Sequence, residues 1–226
     1  MNEQPIVFAE PRTPSSFALI RVLGLVALIS GLLIVVVYQW TLPTITEQRR
    51  LALEQAVFQV IPGASRLTGY VVNQDGVHAP NSGASGRALY AGYDADGELI
   101  GIAAEGAAQG YADTVRLLYG YSPECQCVTG FRIVYSRETP GFGDKLETDP
   151  AFLANFEALD ARLNAEGTAL ANAIVTVKHG TKTKPWQIDA ISGATVSSKA
   201  AGKAIGDSAQ VVVPAVHRHL KAEGQL

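Results

Sequence analysis

The first long run of apolar positions along the chain has no charged interruption and no period. From Val22 to Tyr38 it reads VLGLVALISGLLIVVVY, uncharged throughout and with a single serine. Gln39 and Trp40 lengthen it, and at 1.5 Å per residue it covers ~28 Å, close to a hydrocarbon core of about 30 Å. Arg21 at one end and Tyr38 and Trp40 at the other stand where interfacial anchors belong. A cleaved leader would have a shorter apolar core and a small-x-small site behind it, whereas Gln39-Trp40-Thr41-Leu42-Pro43 follows here. The pattern predicts a retained transmembrane helix over 17–42, behind a flexible tail over 1–16 that holds Pro5, Pro11 and Pro14. Arg12 and Arg21 precede the span and Arg49 and Arg50 follow it, so the positive-inside count is a tie.

Beyond the span the apolar positions become periodic. Thr44-Ile45-Thr46-Glu47 matches a capping box, and a helix carrying Leu51, Val57, Phe58 and Ile61 is expected to run on to Pro62-Gly63. Residues 73–86, rich in Gly, Ser, Asn and Pro, read as an exposed loop. Ala88–Tyr93 and Leu99–Ala103 flank Asp94-Ala95-Asp96-Gly97 as a hairpin, and Val128–Tyr135 alternates as a further strand. Ala151–Leu163 reads as a helix and Ala173–Val177 as a strand. A closely packed helix with Ala200, Ala201, Gly202 and Ala204 starts at Val196 and is expected to be interrupted at Pro214. The class is α+β: one N-terminal transmembrane helix and a single extramembrane domain over 43–226, its core about 85–210.

Composition removes several classes. Of 226 residues 47% are hydrophobic and 17% charged, against roughly 25% charged in an average soluble domain. Disorder, coiled coil, collagen and a many-spanning transporter are excluded. With 18 basic and 21 acidic residues the net charge is −3, which leaves no basic patch for nucleic acid. Cys125 and Cys127 form a lone C-x-C with no second pair, and His78, His179, His217 and His219 are not at ligand spacing, so no metal site is expected. A disulfide across one residue is strained. Two thiols in a loop are therefore expected, with a cluster shared between subunits as the alternative.

The chemistry concentrates in Asp189-Ala190-Ile191-Ser192-Gly193-Ala194-Thr195-Val196-Ser197. It reads as a strand end, a tight turn of small residues and a helix start. Gly193 admits backbone closed to other residues, and Ala194 keeps the turn open beside Thr195. Thr195 then sits near a helix N-terminus, where free N–H groups and the helix dipole favour a phosphate. On the residues alone this is a small-residue turn before a helix, a common feature, with Thr195 as a helix cap.

These nine positions resemble the flavinylation motif D-[GA]-[ILV]-[ST]-[GS]-A-T-x-[ST] of covalent FMN-binding domains, and every constrained position agrees. Arg137-Glu138-Thr139-Pro140-Gly141-Phe142-Gly143-Asp144-Lys145 is similar to that family's ETPGLGDK segment, with Phe142 in place of leucine. Gly110-Tyr111-Ala112-Asp113-Thr114-Val115 loosely resembles its GY-x-x-x-[IV] strand start. Within the family the likeness is greatest to the G subunits of Rnf-type electron transport complexes. The C subunits of sodium-pumping NADH:quinone reductases share the domain. The C-x-C and a longer tail after Ile205 depart from the pattern.

The resemblance implies FMN joined by a phosphoester to Thr195, put there by a flavin transferase that uses FAD. It implies that Ser192, Gly193, Ala194 and Ser197 form the surrounding turn, with Ser192, Ser197 and Ser198 as candidate phosphate donors and Lys199 as a neighbouring cation. It further implies that Glu138 and Thr139 contact the flavin ring or hold its loop, that Gly141 shapes that loop, that Phe142 covers the ring and that Lys145 stabilises reduced flavin. No catalytic side chain is expected, because no Ser/His/Asp or Cys/His set has workable spacing and no G-x-G-x-x-G follows a strand. The expected function is an electron-transfer subunit of a translocase, rather than a catalyst alone, partnered by other membrane subunits in the bacterial inner membrane with the flavin domain periplasmic. A stand-alone membrane-anchored FMN reductase and a non-redox assembly subunit with an unused motif are the alternatives.

Overall fold

The computed structural model describes residues 15–224 except Gln74, Asn81 and Phe142. Most of the expected tail, and Phe142 as a ring cover, lie outside the described residues. The chain divides into two compact units, the first ending at Leu51 and the second Ala52–Leu226.

Helix α1 (Ser16–Val60) is long and apolar enough to cross a membrane, and its most apolar window is wholly unburied by protein. It does not restart at the capping box. It runs through Pro43, where the lost donor frees a carbonyl at exposed Gln39. Thr41 Oγ1 donates to the Val37 carbonyl at 2.9 Å and Thr46 Oγ1 to the Pro43 carbonyl at 2.8 Å, so these threonines serve a continuing helix.

The second unit is built on a seven-stranded antiparallel sheet. Its strands are β1 (Arg66–Val72), β2 (Val77–His78), β3 (Arg87–Tyr93), β4 (Leu99–Gln109), β5 (Thr114–Ser122), β6 (Cys127–Tyr135) and β7 (Leu159–Asp160), in the order β2-β1-β3-β4-β5-β6-β7. The β3–β4 hairpin closes where the Asp94–Gly97 turn predicts, and Asp94 Oδ1 accepts from the Asp96 and Glu98 N–H groups. β1 and β2 add strands N-terminal to the expected core, β2 within the expected loop. One face carries the main core, in which Leu89, Ile102, Leu117 and Tyr119 meet helix α4 (Thr195–Ala222). Small residues (Ala104, Gly106, Ala201, Ala204) let α4 approach β4 closely, and Ser208 Oγ donates to the Glu105 carbonyl at 2.7 Å. On the other face Val57, Val60 and Ile61 pack against Ala103 and Leu118.

Three further expectations change. Residues 151–163 are not one helix. Asp149 caps α3 (Pro150–Leu153), a 3-10 turn Ala154–Phe156 follows, and Leu159 is captured by the sheet edge opposite Val128. Phe152 and Phe156 keep helical spacing because they stack with Phe131 at 4.5–6.0 Å, and that stack needs only about one turn. Pro214 does not interrupt α4. Its neighbours Val212, Val213, Ala215 and Val216 are buried, and the carbonyl it leaves without a donor belongs to exposed Gln210. Cys125 and Cys127 are not free thiols but a disulfide at the tip of the β5–β6 hairpin. There Gln126 takes a left-handed φ of 49° and its carbonyl accepts from Ala161 N at 3.0 Å. α2 (Lys145–Thr148) precedes α3, and the short parallel pair β8 (Val175–Val177) and β9 (Gln187–Asp189) leads into the motif.

Candidate functional site

Three segments far apart in sequence converge at the start of α4. The first is the turn 110–113 between β4 and β5, closed by Gly110 N on the Asp113 carbonyl at 2.9 Å. The second is the loop 136–143 that leaves β6, closed by Gly143 N on the Thr139 carbonyl at 2.9 Å. The third is the motif, whose turn closes with Ala194 N on the Ile191 carbonyl at 3.1 Å. Gly193 sits third in that turn with φ +83°, a backbone that disfavours any Cβ.

Between these segments lies a cavity of about 460 Å³ lined by Tyr111, Glu138, Thr139, Gly143 and Gly193–Ser197. Thr195 is the first helical residue of α4 and is half-buried; its hydroxyl has no hydrogen-bond partner among the described residues. The N–H groups of Thr195, Val196 and Ser197 start a helix and so have no partner in it. Ala194, Val196 and the Tyr111 ring contribute apolar wall.

Glu138 ties the three segments together. Buried, it accepts from Ala112 N at 3.0 Å, from Tyr111 N at 3.2 Å and from Ser197 Oγ. Burial by itself would raise the Glu138 pKa. The bonds from Ser197 Oγ and from the Ala112, Tyr111 and Asp113 N–H groups together outweigh it and hold the carboxyl below its ordinary range. A Cβ on Gly143 would lie against Glu138, which is the physical reason for glycine there.

The expected site residues divide accordingly. Thr195, Gly193, Ala194, Ser197, Glu138 and Thr139 line the cavity, whereas Ser192, Gly141 and Lys145 are exposed outside its lining. Ser197 spends its single proton on Glu138 instead of aiming it into the cavity. Ser198 Oγ donates to the Ala194 carbonyl at 2.9 Å and accepts from Ile191 N at 3.0 Å, so it locks the turn.

Residues 110–210 match the family model described as FMN-binding domain, and residues 21–60 match that of the RnfG N-terminal region. The G subunit of an ion-translocating oxidoreductase complex from Methanosarcina acetivorans is 31% identical, over 75% of this chain and 81% of its own. The chain belongs to the G-subunit family of ion-translocating oxidoreductase complexes. The G subunit of a proton-translocating ferredoxin:NAD(+) oxidoreductase complex from Clostridium ljungdahlii is 27% identical, over 88% of this chain and 92% of its own. The Shewanella oneidensis NqrC crystal structure shares the fold, with a TM-score of 0.64 at 19% identity over 78% of this chain and 99% of that one.

The match to the FMN-binding domain opens at Gly110 and so takes in all three segments. The residues present fit FMN. The cavity falls within the ~300–1,000 Å³ of small-molecule sites, and apolar wall stands on one side of a hydroxyl without a partner among the described residues and of N–H groups without one in the helix. A phosphate belongs at this helix start and not beside the Glu138 carboxylate. Two wall residues of this G subunit, Tyr111 and Val196, were not singled out from sequence. Both are exposed apolar side chains, at 74% and 51%, and Tyr111 carried a trace in the Gly-Tyr pair between two strands.

The depressed Glu138 pKa has a sign that can be measured. A carboxyl whose folded pKa lies below its ordinary 4.5 adds stability that is present above that pH and is lost as pH falls through the folded value. The thermal midpoint of the wild type is expected to fall more steeply below about pH 4.5 than that of Glu138→Gln. Parallel curves would show that Glu138 contributes nothing to acid sensitivity.

Proposed function

We propose that this chain is a membrane-anchored flavoprotein subunit that passes electrons through FMN, joined by a phosphoester to Thr195, within an Rnf-type ion-translocating complex. The observation that carries it is the Thr195 hydroxyl, uncommitted, on the wall of a cavity of suitable size at the start of α4. Attachment by a flavin transferase forms the Thr195 Oγ–phosphorus bond as the pyrophosphate bond of FAD breaks. AMP leaves, and the hydroxyl proton passes to the transferase or to solvent. Bound flavin supplies the redox chemistry, which belongs to the cofactor. The chain's own residues hold it. The Thr195–Ser197 N–H groups would hold the phosphate end, Tyr111, Ala194 and Val196 would supply apolar wall against the ring, and Glu138 fixes the walls to one another. Thr139 lies on the same wall, while Gly141, Ser192 and Lys145 lie outside it.

Relatives whose names place them in multi-subunit ion-translocating complexes support other membrane subunits as partners. The Cys125–Cys127 disulfide supports a periplasmic position for the domain, since disulfides persist in oxidising compartments. The chain co-expressed with its transferase should give a denatured gel band with flavin fluorescence. A dark band, beside a control protein that the same transferase labels, would refute the attachment. A reporter active only in the periplasm, fused after Leu226, should be active. Activity of a cytoplasm-only reporter there would reverse the orientation.

A further inference from the structure

Asn155 lies outside the cavity, in the 3-10 turn after α3, and is 5% exposed. Its Nδ2 donates to the carbonyls of Phe152 at 3.0 Å, Ala151 at 3.2 Å and Asp189 at 3.4 Å. Its Oδ1 accepts from Asp189 N at 3.0 Å and from Lys182 Nζ at 2.9 Å. An ammonium can only donate, so Lys182 dictates which end of the amide faces which partner. β8 pairs with β9 on one side, where Ala190 N donates to the Val177 carbonyl, so the backbone groups of Asp189 point to the opposite edge. On that edge the Asn155 amide takes the place of a neighbouring strand.

Asp189 is also the first residue of the motif that holds Thr195. Its carboxylate accepts from Gly180 N at 2.7 Å, with His179 Nδ1 3.6 Å from the other oxygen. Downstream, Ser198 binds both Ile191 N and the Ala194 carbonyl, which makes 191–198 one hydrogen-bonded piece. A shift at Asp189 is therefore carried to Thr195 and not absorbed between them.

We infer that Asn155 is a positioning residue: by closing the free edge of β9 at Asp189, it sets the frame in which the Thr195 hydroxyl is presented to the flavin donor. This rests on Thr195 being the attachment site. The test uses the full chain in detergent with flavin transferase and FAD. It follows the rate at which denaturation-resistant flavin fluorescence appears, amide hydrogen exchange at Asp189, and the thermal midpoint.

Asn155→Asp keeps the acceptor for Asp189 N and Lys182 but turns an anionic oxygen towards three carbonyls. Loading is expected to slow by about tenfold or more, since a misplacement on the order of 1 Å can cost that much, and Asp189 exchange is expected to accelerate. Val60→Ala, in the core on the other face of the sheet, lowers the midpoint without touching β9 and should load at the wild-type rate. Lys182→Met should slow loading in the same direction with a near-native midpoint, and it carries the test if Asn155→Asp does not fold. Wild-type loading by a folded Asn155→Asp chain, wild-type loading by Lys182→Met where Asn155→Asp does not fold, or an equal loss in Val60→Ala, overturns the inference and leaves Thr195 as the attachment site. No labelling of the wild-type chain instead overturns the attachment reading, and this inference with it.

Discussion

Membranes in which the only copy of this protein carries Thr195→Ala are expected to assemble their complex and to lose electron flow, down to the rate of membranes lacking the chain. The substitution removes one hydroxyl from a half-buried position where it has no hydrogen-bond partner among the described residues, and alanine suits the first turn of a helix. The fold therefore loses little, and the protein should still co-purify with its partners. Under the proposed attachment, what is lost is the atom to which the phosphorus would be joined, and with it the expected fluorescent band. Turnover is measured beside subunit composition in the same membranes. Normal turnover with Thr195→Ala alone would mean that no electron passes through a group at this residue, and the chain's role would then be structural.

The second large effect is expected at Glu138. Glu138→Ala strips the acceptor from the Tyr111 and Ala112 N–H groups and from Ser197, in a buried setting. A buried donor left unsatisfied costs about 1–3 kcal/mol. With partial rescue by water, a total of about 3 kcal/mol follows, or roughly 6–12 °C in thermal midpoint for a chain of this size. The balance is not reversed by relief of a buried charge, because the depressed pKa shows that these surroundings favour the carboxylate. Glu138→Gln keeps the oxygen that accepts from Ala112 N, and the Ser197 hydroxyl can turn to accept from the amide, so only Tyr111 N loses its acceptor and the cost should be about 1–2 kcal/mol. Flavin loading should fall in the same order, since the loop 136–143 and the turn 110–113 both hang on this side chain. An alanine variant as stable as the wild type would show that the loops hold their places without it.

Much of this molecule was legible in its sequence, for reasons that are local. The anchor follows from the length of one uncharged run, and the β3–β4 hairpin from the turn residues Asp94–Gly97. The strand–turn–helix corner follows from nine consecutive positions with small side chains, its flavin reading comes from the motif resemblance, and the family match to 110–210 includes it. Each of these is decided by residues that touch their own neighbours along the chain.

What only the tertiary structure decided involves partners that leave no periodic trace. An interruption at Pro214 was a sound local expectation, but a continuous helix prevails. At Pro214 the buried face of α4 outweighs a cost of about 3 kcal/mol for an interior proline. Residues 151–163 have helical spacing, yet the free edge of β6 takes Leu159 and Asp160. The C-x-C pair becomes a disulfide because the hairpin tip brings its Cα atoms to 5.2 Å. Glu138 and Ser197 meet across 59 positions, and Asn155 and Asp189 across 34. Neither pairing repeats at a helix or strand period, so the sequence named Glu138 and Ser197 only through their motifs and did not name Asn155. The motif proposes the Thr195 hydroxyl as the atom offered to flavin; the packing of β9, α4 and the two loops decided where that atom stands.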